Sequence, residues 1–396
     1  MTQRVRSARR RPSAITLATW LLVTQGIILL LLGGVLLLPL VLRDAGDLVL
    51  NGHAMEIAID GGVLVALGVL MLVVGMGLFF QRIWSWLLAM TMQGVNLAVA
   101  LASYYRGSRD ATIFLSMTLG LLLVMVGLGF KIAAFPFQIW APDVYQGAPS
   151  PTTAFLAVGS KAAGFVLLLR VLFIAVPDIT AQWSTLLMAI SAITILYGNL
   201  CAIPQRNLKR LFGYSSIAHA GYMLLGIAAL SAAGQAAVLY YLSGYLFTVL
   251  GAFTVICLVM TQVEGEDITS LAGLNQRAPL LAVTMTLAMV SLGGIPPLAG
   301  FFGKFLLFKA AIARGADQPA YYWLVAIAIA GVIISLYYYF GVVRAIFWGK
   351  EGPPTPIRTS IPIRVCLYGC ITGMLALGLF PNWLVDLTGQ AVKALH

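Results

Sequence analysis

Long runs of apolar residues alternate with short polar loops along the chain. A membrane-spanning helix needs about 20 consecutive, mainly apolar residues. The first run is too long for a secretory signal and lacks a small-residue cleavage site, so we expect it to be a retained span. The pattern predicts eleven spans, at residues 15–43, 62–81, 84–105, 112–135, 152–175, 181–202, 210–231, 237–262, 279–311, 320–347 and 361–381.

Composition leads to the same fold class. Hydrophobic residues make up 61% of the chain and charged residues only 9%, so we predict an all-α integral membrane protein in contact with lipid. The net charge of +11 falls mainly in short loops on one side of the predicted membrane, including Arg206, Lys209 and Arg210. The positive-inside rule explains this charge without nucleic acid, and it predicts a cytoplasmic N-terminus and an external C-terminus.

Two of the predicted helices are interrupted by proline. Pro136 interrupts the fourth helix and Pro296-Pro297 the ninth, and each interrupted helix carries a lysine, Lys131 or Lys304. These helices are the fourth members of two successive five-helix units, and an odd number of spans inverts the second unit relative to the first. Inverted repeats with broken helices that line an ion site are typical of transporters, so we predict two inverted five-helix repeats.

Three lysines within the apolar runs, Lys131, Lys161 and Lys304, are the main candidates for chemistry. An ionised side chain at the bilayer centre costs about 2.5–3.5 kcal/mol on insertion scales, so its presence indicates function by default. The alternative is snorkelling, in which the long side chain reaches the interface. Lys309 fits snorkelling well, but Lys161 lies about ten residues into its helix, close to the bilayer centre.

His219 is the only histidine within a predicted span. Histidine titrates near neutral pH and relays protons, although it also forms purely structural hydrogen bonds between helices. With Ser215, Ser216 and Tyr222 it could connect the lysines into a proton path. The sequence contains no nucleotide-binding loop, catalytic triad or metal-ligand spacing, so we expect this chain to bind neither a metal nor a cofactor.

Four segments around these residues resemble one known family. The segments 129–151, 160–164, 207–222 and 294–305 are similar to the antiporter-like membrane subunit N of respiratory complex I, the proton-pumping NADH:quinone oxidoreductase. The most specific string is Pro-Asp-Val-Tyr-Gln-Gly-Ala-Pro at 142–149, with Ser160-Lys161 beyond it. The resemblance extends from about residue 117 to 347 and continues weakly to the end.

The resemblance implies a role for each candidate residue. Lys131 and Lys161 would belong to an input half-channel and Lys304 to an output half-channel, in a bacterial plasma membrane. The other membrane subunits of the complex would be the partners. Quinone, NADH, FMN and iron–sulfur clusters would lie in other subunits, so this chain would be part of an enzyme without holding its redox site.

The front of the chain departs from the family pattern. The family usually has fourteen spans, so eleven would fit loss of the first three, and we divide the chain into a divergent region, 1–110, and an antiporter-like domain, 111–396. The family pairs the lysine equivalent to Lys131 with a glutamate two helices earlier, but the predicted helix there has acids only at its outer end, Glu56 and Asp60. We therefore expect Lys131 to be neutral or hydrated, with any carboxylate partner supplied by a neighbouring subunit, and Asp143 to be a loop anchor.

Two alternatives from other functional classes remain. The chain could be a subunit of a cation/proton antiporter or a membrane-bound hydrogenase that uses the same lysines with another driving reaction. It could also be a structural membrane subunit that no longer pumps protons, having lost the acidic partner of Lys131.

Overall fold

The computed structural model describes residues 13–42, 52–79, 111–175, 183–263, 265–349, 356–357 and 359–394. These residues are mostly helical, and their only β-type pairing is an isolated bridge between Asn207 and Asp267. The helices are α1 (Ser13–Leu42), α2 (Gly52–Phe79), α3 (Ala111–Ile132), α4 (Trp140–Gly147), α5 (Ser150–Ile174), α6 (Ser184–Ala202), α7 (Leu208–Ala228), α8 (Ala232–Met260), α9 (Pro279–Gly293), α10 (Ala299–Gly315), α11 (Ala320–Trp348), α12 (Ile361–Leu379) and α13 (Asn382–Lys393). A 3₁₀ turn, Ile268–Leu271, and a helical turn, Leu274–Arg277, lie between α8 and α9.

The chain divides into two compact units, Met1–Gly127 and Leu128–His396. In the first unit α1 and α2 pack closely through glycines, because a Cβ added to Gly33 would lie 2.9 Å from the carbonyl oxygen of Gly61. A Cβ on Gly68 would lie equally close, at 2.9 Å, to the oxygen of Gly26. Such small-residue contacts are typical of helix pairs in membranes. The predicted division at residue 110 stays a prediction.

Helix α7 is the most enclosed element of the second unit. All of its residues from Ser215 to Ala228 are buried, although it contains serine, histidine and tyrosine. Asn207 caps its N-terminus, and the Asn207 side chain accepts a hydrogen bond of 2.9 Å from the Arg210 amide. Helix α6 lies against it so closely that a Cβ on Gly198 would be 2.4 Å from the amide nitrogen of Ala218. The polar side chains of α7 therefore face other helices rather than lipid.

Both predicted helix interruptions are confirmed. Helix α3 ends at Ile132, before Pro136, and α9 ends at Gly293, before Pro296-Pro297. A left-handed residue follows each end, Ala133 with φ 59° and Gly294 with φ 78°.

Hydroxyl groups satisfy backbone amides that these breaks leave free. Thr194 of α6 accepts a hydrogen bond of 3.1 Å from the Phe135 amide at the first break. Ser291 accepts one of 3.2 Å from the Gly300 amide at the second. Within a bilayer, such groups must be satisfied by protein or water, because lipid cannot do so.

The predicted all-α membrane fold is confirmed, whereas the count of eleven spans is not. Among the described residues, six helices are long and apolar enough to cross a membrane: α5, α6, α7, α8, α11 and α12. The predicted span 84–105 lies outside the described residues. The predicted ninth span forms two helices, α9 and α10, and the short helices α4 and α13 were not predicted. The inverted arrangement of the two repeats and the orientation in the membrane stay predictions.

Candidate functional site

The candidate site is a row of polar side chains along α7. Ser215, His219 and Tyr222 lie four and then three residues apart, so they project from one side of the helix, and Ser216 is adjacent to Ser215. All four are buried, with at most 2% of each residue exposed. Helices α5, α6, α8, α10 and α11 bring further polar groups to this row.

Lys161 lies at one end of the row. It is 2% exposed and follows a π-helical turn, Leu156–Ser160, in α5; π-helical turns are frequent at functional sites. Its Nζ donates a hydrogen bond of 2.5 Å to the carbonyl oxygen of Ser216 and a second, very short one to Ser216 Oγ. Ser216 Oγ is also 3.0 Å from the hydroxyl of Tyr145 on α4. The hydrogen-bond partners of Lys161 Nζ are therefore neutral oxygen atoms.

His219 occupies the middle of the row and is bonded at both ring nitrogens. Its Nδ1 is 2.5 Å from the hydroxyl of Tyr241, and its Nε2 is 3.0 Å from the hydroxyl of Tyr339. Tyr339 is in turn 2.5 Å from Ser215 Oγ. A neutral imidazole donates from one nitrogen and accepts at the other, so this chain of hydroxyl and imidazole groups can reverse its direction by proton transfer.

Lys304 lies at the other end, beside the second helix break. It is 3% exposed, and its Nζ donates a hydrogen bond of 2.6 Å to the carbonyl oxygen of Leu292, in the last turn of α9. The carbonyl end of a helix carries partial negative charge, which favours a cation there. The same nitrogen is 5.0 Å from the centre of the Tyr222 ring, within cation–π range.

Lys131 differs from the other two lysines. It lies in the last turn of α3, and its side chain is exposed in this chain. Its stem passes close to α5, because a Cβ added to Gly164 would lie 3.3 Å from Lys131 Cγ. No hydrogen bond or ion pair joins it to another described residue. The structure thus brings Lys161, His219 and Lys304 to one row on α7 and leaves Lys131 outside it.

The ion pairs between described residues lie away from the row. Asp143 is 2.6 Å from Arg210, Glu266 is 2.6 Å from Lys209, and Asp317 is 3.1 Å from Arg314. Asp143 was predicted to lie in a loop as a cap or anchor, but it lies in the first turn of α4. Its bond to Arg210 ties α4 to the first turn of α7. Among the described residues, no carboxylate contacts Lys161 or Lys304.

Several side chains that bond to the row were not predicted from the sequence. Tyr145, Tyr241 and Tyr339 supply hydroxyl groups to Ser216 and His219. Asn199 donates a hydrogen bond to the hydroxyl of Tyr222 and accepts one from the hydroxyl of Tyr338. Asn199, the one amide side chain of α6, was the available signal. The described residues include no group of three or more His, Cys, Asp or Glu side chains that could hold a metal ion.

Comparison with known proteins identifies the family. The family model described as "NADH:quinone oxidoreductase/Mrp antiporter, TM" matches residues 51–335. The chain belongs to this family. The NADH-quinone oxidoreductase subunit N of Desulforamulus reducens is 41% identical over 278 residues, which are 70% of this chain and 57% of that protein. The subunit N of Moorella thermoacetica is 43% identical over 274 residues, 68% of this chain and 56% of that protein. The predicted resemblance to subunit N is confirmed, and the chain spans little more than half the length of these relatives.

Two solved structures share the fold. A chain of respiratory complex I from Thermus thermophilus with bound aureothin matches with a TM-score of 0.60 and 29% identity, over 93% of this chain and 85% of that one. A chain of the Mrp complex from Dietzia sp. matches with a TM-score of 0.66 over 97% of this chain and 83% of that one. Because the Mrp chain is only 17% identical, its likeness concerns the fold alone.

Proposed function

We propose that this chain is a proton-translocating membrane subunit of an NADH:quinone oxidoreductase of the complex I type, corresponding to subunit N. Its partners are the other membrane subunits of that complex and the surrounding lipid, in a bacterial inner membrane with the N-terminus in the cytoplasm. NADH, FMN, iron–sulfur clusters and quinone react in other subunits. The similarity to proteins named subunit N supports the assignment to this complex.

The observation that carries the proposal is the pair of enclosed lysines at the two ends of one polar row. Lys161 bonds to Ser216, and Lys304 packs against Tyr222, two turns further along the same helix. Enclosed ionisable groups that are linked by hydroxyl and imidazole side chains are typical of proton relays in membranes. A purely structural helix contact would not need two cations.

Each residue of the row has a specific role in this proposal. Lys161 takes up a proton on the input side, where Lys131 feeds it. His219 passes the proton along between Tyr339 and Tyr241, because its ring takes up a proton at one nitrogen and releases one from the other, and Lys304 delivers it to the output side. The driving force is electrostatic: quinone reduction in other subunits changes the charge near the row, and the lysines respond by binding or releasing protons.

Replacement of the enclosed lysines tests the proposal. Lys161→Ala and Lys304→Ala, each in the full complex in native membranes, should lower the number of protons pumped per electron while the complex stays assembled. Lys309→Ala is the matched control, because Lys309 lies five residues beyond Lys304 on α10 and is exposed. Normal pumping in both assembled lysine variants would contradict the proposal and indicate a structural role.

A cation/proton antiporter subunit is the second candidate, because the matching family model covers both groups of proteins. The identity of the co-purifying subunits separates the two functions. Flavin and iron–sulfur subunits would identify a complex I-type enzyme. Co-purification with antiporter subunits alone, together with sodium-dependent proton exchange, would favour the second candidate.

A further inference from the structure

A buried hydrogen-bond cluster around Asn199 adjoins the row and has no part in the relay described above. Asn199 lies in α6, a helix without charged residues, and is fully enclosed. Its Nδ2 donates hydrogen bonds of 2.8 Å to the carbonyl oxygen of Ile195 and 3.2 Å to the hydroxyl of Tyr222. Its Oδ1 accepts one of 2.9 Å from the hydroxyl of Tyr338. A single amide thus connects α6, α7 and α11.

The neighbouring helix leaves space for this cluster. A Cβ added to Gly331 of α11 would lie 2.9 Å from Asn199 Nδ2 and 2.9 Å from the hydroxyl of Tyr222. It would also lie 2.5 Å from a side-chain carbon of Ile195. A larger residue at position 331 would therefore push Asn199 and Tyr222 apart. Only glycine at this position leaves their hydrogen bond undisturbed.

Tyr222 links the cluster to the proton path. The face of its ring is 5.0 Å from Lys304 Nζ, and the ring centre is 5.9 Å from that of His219 in a T-shaped arrangement. Rotation of the ring would remove the contact with Lys304. The hydroxyl at the far end of the ring is bonded to Asn199 of α6, and this bond fixes the orientation of the ring.

We propose that Asn199 is a positioning residue for Lys304. It holds the Tyr222 ring against the ammonium group and so keeps this group between the Leu292 carbonyl and the histidine row. The inference rests on the proposed proton translocation and extends it, because it assigns a role to a helix that contributes no ionisable group to the path.

Asparagine also joins membrane helices for purely structural reasons, and the two roles predict different results. A structural bond affects the stability of the complex. A positioning bond affects the number of protons pumped per electron in complexes that have assembled. Its loss should have the same effect whether Asn199 or Tyr222 is replaced.

Variants of Asn199 and Tyr222 in the full complex in native membranes distinguish these roles. Asn199→Ala and Tyr222→Phe each remove the hydrogen bond between the two side chains. Tyr222→Leu removes the ring as well. Tyr321→Phe is the matched control, because Tyr321 is equally buried and donates a hydrogen bond of 2.5 Å to the carbonyl oxygen of Ala228. Protons pumped per electron and the amount of assembled complex are measured for each variant.

We expect Asn199→Ala and Tyr222→Phe each to cause a partial loss of pumping, measured as protons per electron, because the Tyr222 ring is still present but is no longer held against Lys304. Their combination should be no worse than the more affected single variant, because both remove the same bond. Tyr222→Leu should be more severe than Tyr222→Phe, since phenylalanine keeps the ring face. Tyr321→Phe should pump normally.

Normal pumping by assembled Asn199→Ala and Tyr222→Phe complexes, or losses that add in the double variant, would overturn the inference. If the Asn199→Ala complex fails to assemble, the Tyr222→Phe variant alone tests the inference, because it removes a single oxygen atom and keeps the ring. If the proposed proton translocation itself is wrong, the result differs, because Lys304→Ala would then also leave the number of protons pumped per electron unchanged.

Discussion

At the scale of single residues, the solvation of Lys161 by neutral oxygen atoms determines what its variants should do. A hydrogen bond to a charged group contributes about 1.5–3 kcal/mol, and a buried partner left unsatisfied costs more. Ser216 supplies both oxygen atoms that Lys161 contacts, but only its hydroxyl can be removed by mutation. The hydroxyl also connects Lys161 to Tyr145.

We predict that Ser216→Ala lowers the protons pumped per electron, because Lys161 loses one of its two hydrogen bonds to Ser216 and the connection to Tyr145 is broken. The measurement is proton uptake into inverted vesicles relative to NADH oxidation. Ser335→Ala is the control, because Ser335 is equally buried but bonds only to the Val332 carbonyl of its own helix. Equal pumping in the two variants would show that the hydroxyl of Ser216 does not serve the path.

The residue scale also shows what sequence can reveal about the site. Lys161, His219 and Lys304 could be predicted because an ionisable residue in an apolar run is costly, and this cost is visible without a structure. Tyr339 could not be predicted, because tyrosine is common in apolar helices and its partner His219 is 120 residues away in the sequence. The exposure of Lys131 could not be predicted either, because it depends on which helices pack around α3.

At the scale of helices, the break between α9 and α10 determines the position of Lys304. Gly294 has φ 78°, a conformation that glycine adopts readily and alanine does not. A Cβ at this position would also lie 2.9 Å from Lys304 Cδ and 3.3 Å from its Nζ. The break thus gives the lysine both a carbonyl partner and the space to reach it.

We therefore predict that Gly294→Ala destabilises the break by about 1–3 kcal/mol and moves Lys304 away from the Leu292 carbonyl. Pumping should fall toward the level of Lys304→Ala, measured as protons per electron in assembled complex. Gly341→Ala is the matched control, since no atom lies within 4 Å of the added Cβ there. Gly294→Ala complexes that pump like the control would contradict this role of the break.

Proline located both helix interruptions in the sequence, but it also concealed one short helix. Pro136 and Pro296-Pro297 located both interruptions because proline removes a backbone donor and clashes with the preceding turn. Helix α4 was predicted as loop, since Pro142 and Gly147 favour turns, yet its residues Ala141, Pro142 and Tyr145 are buried in the structure. Tertiary contacts with α7, including the Asp143–Arg210 pair, override the local preference.

At the scale of the whole molecule, enclosure differs strongly between helices. Almost every residue of α7 is buried, whereas fewer than a third of those in the apolar core of α12 are. Helices α11 and α12 present large side chains outward, among them Trp323, Tyr337, Ile361 and Tyr368. This distribution is expected of a bundle whose outer helices meet lipid or partner subunits.

We predict that a photoreactive lipid analogue labels the outer helices of the purified chain in detergent–lipid micelles and spares α7. Mass spectrometry of the labelled peptides measures the difference. In the assembled complex, protection of α11 or α12 would locate a neighbouring subunit on that face. Labelling of α7 as strong as that of α12 would contradict the enclosed position of the polar row.

The enclosure of α7 has a consequence for how the protein is made. Of the six candidate spans, α7 is the least apolar. Lys209 and Arg210 lie in its first turn, and two serines and a histidine follow in later turns. The translocon releases a segment into lipid according to the hydrophobicity of that segment. A helix with this composition enters the bilayer poorly alone, so we expect α7 to wait for the strongly apolar α8 that follows it. The residues that would carry protons in the finished protein therefore make its central helix dependent on its neighbours during synthesis.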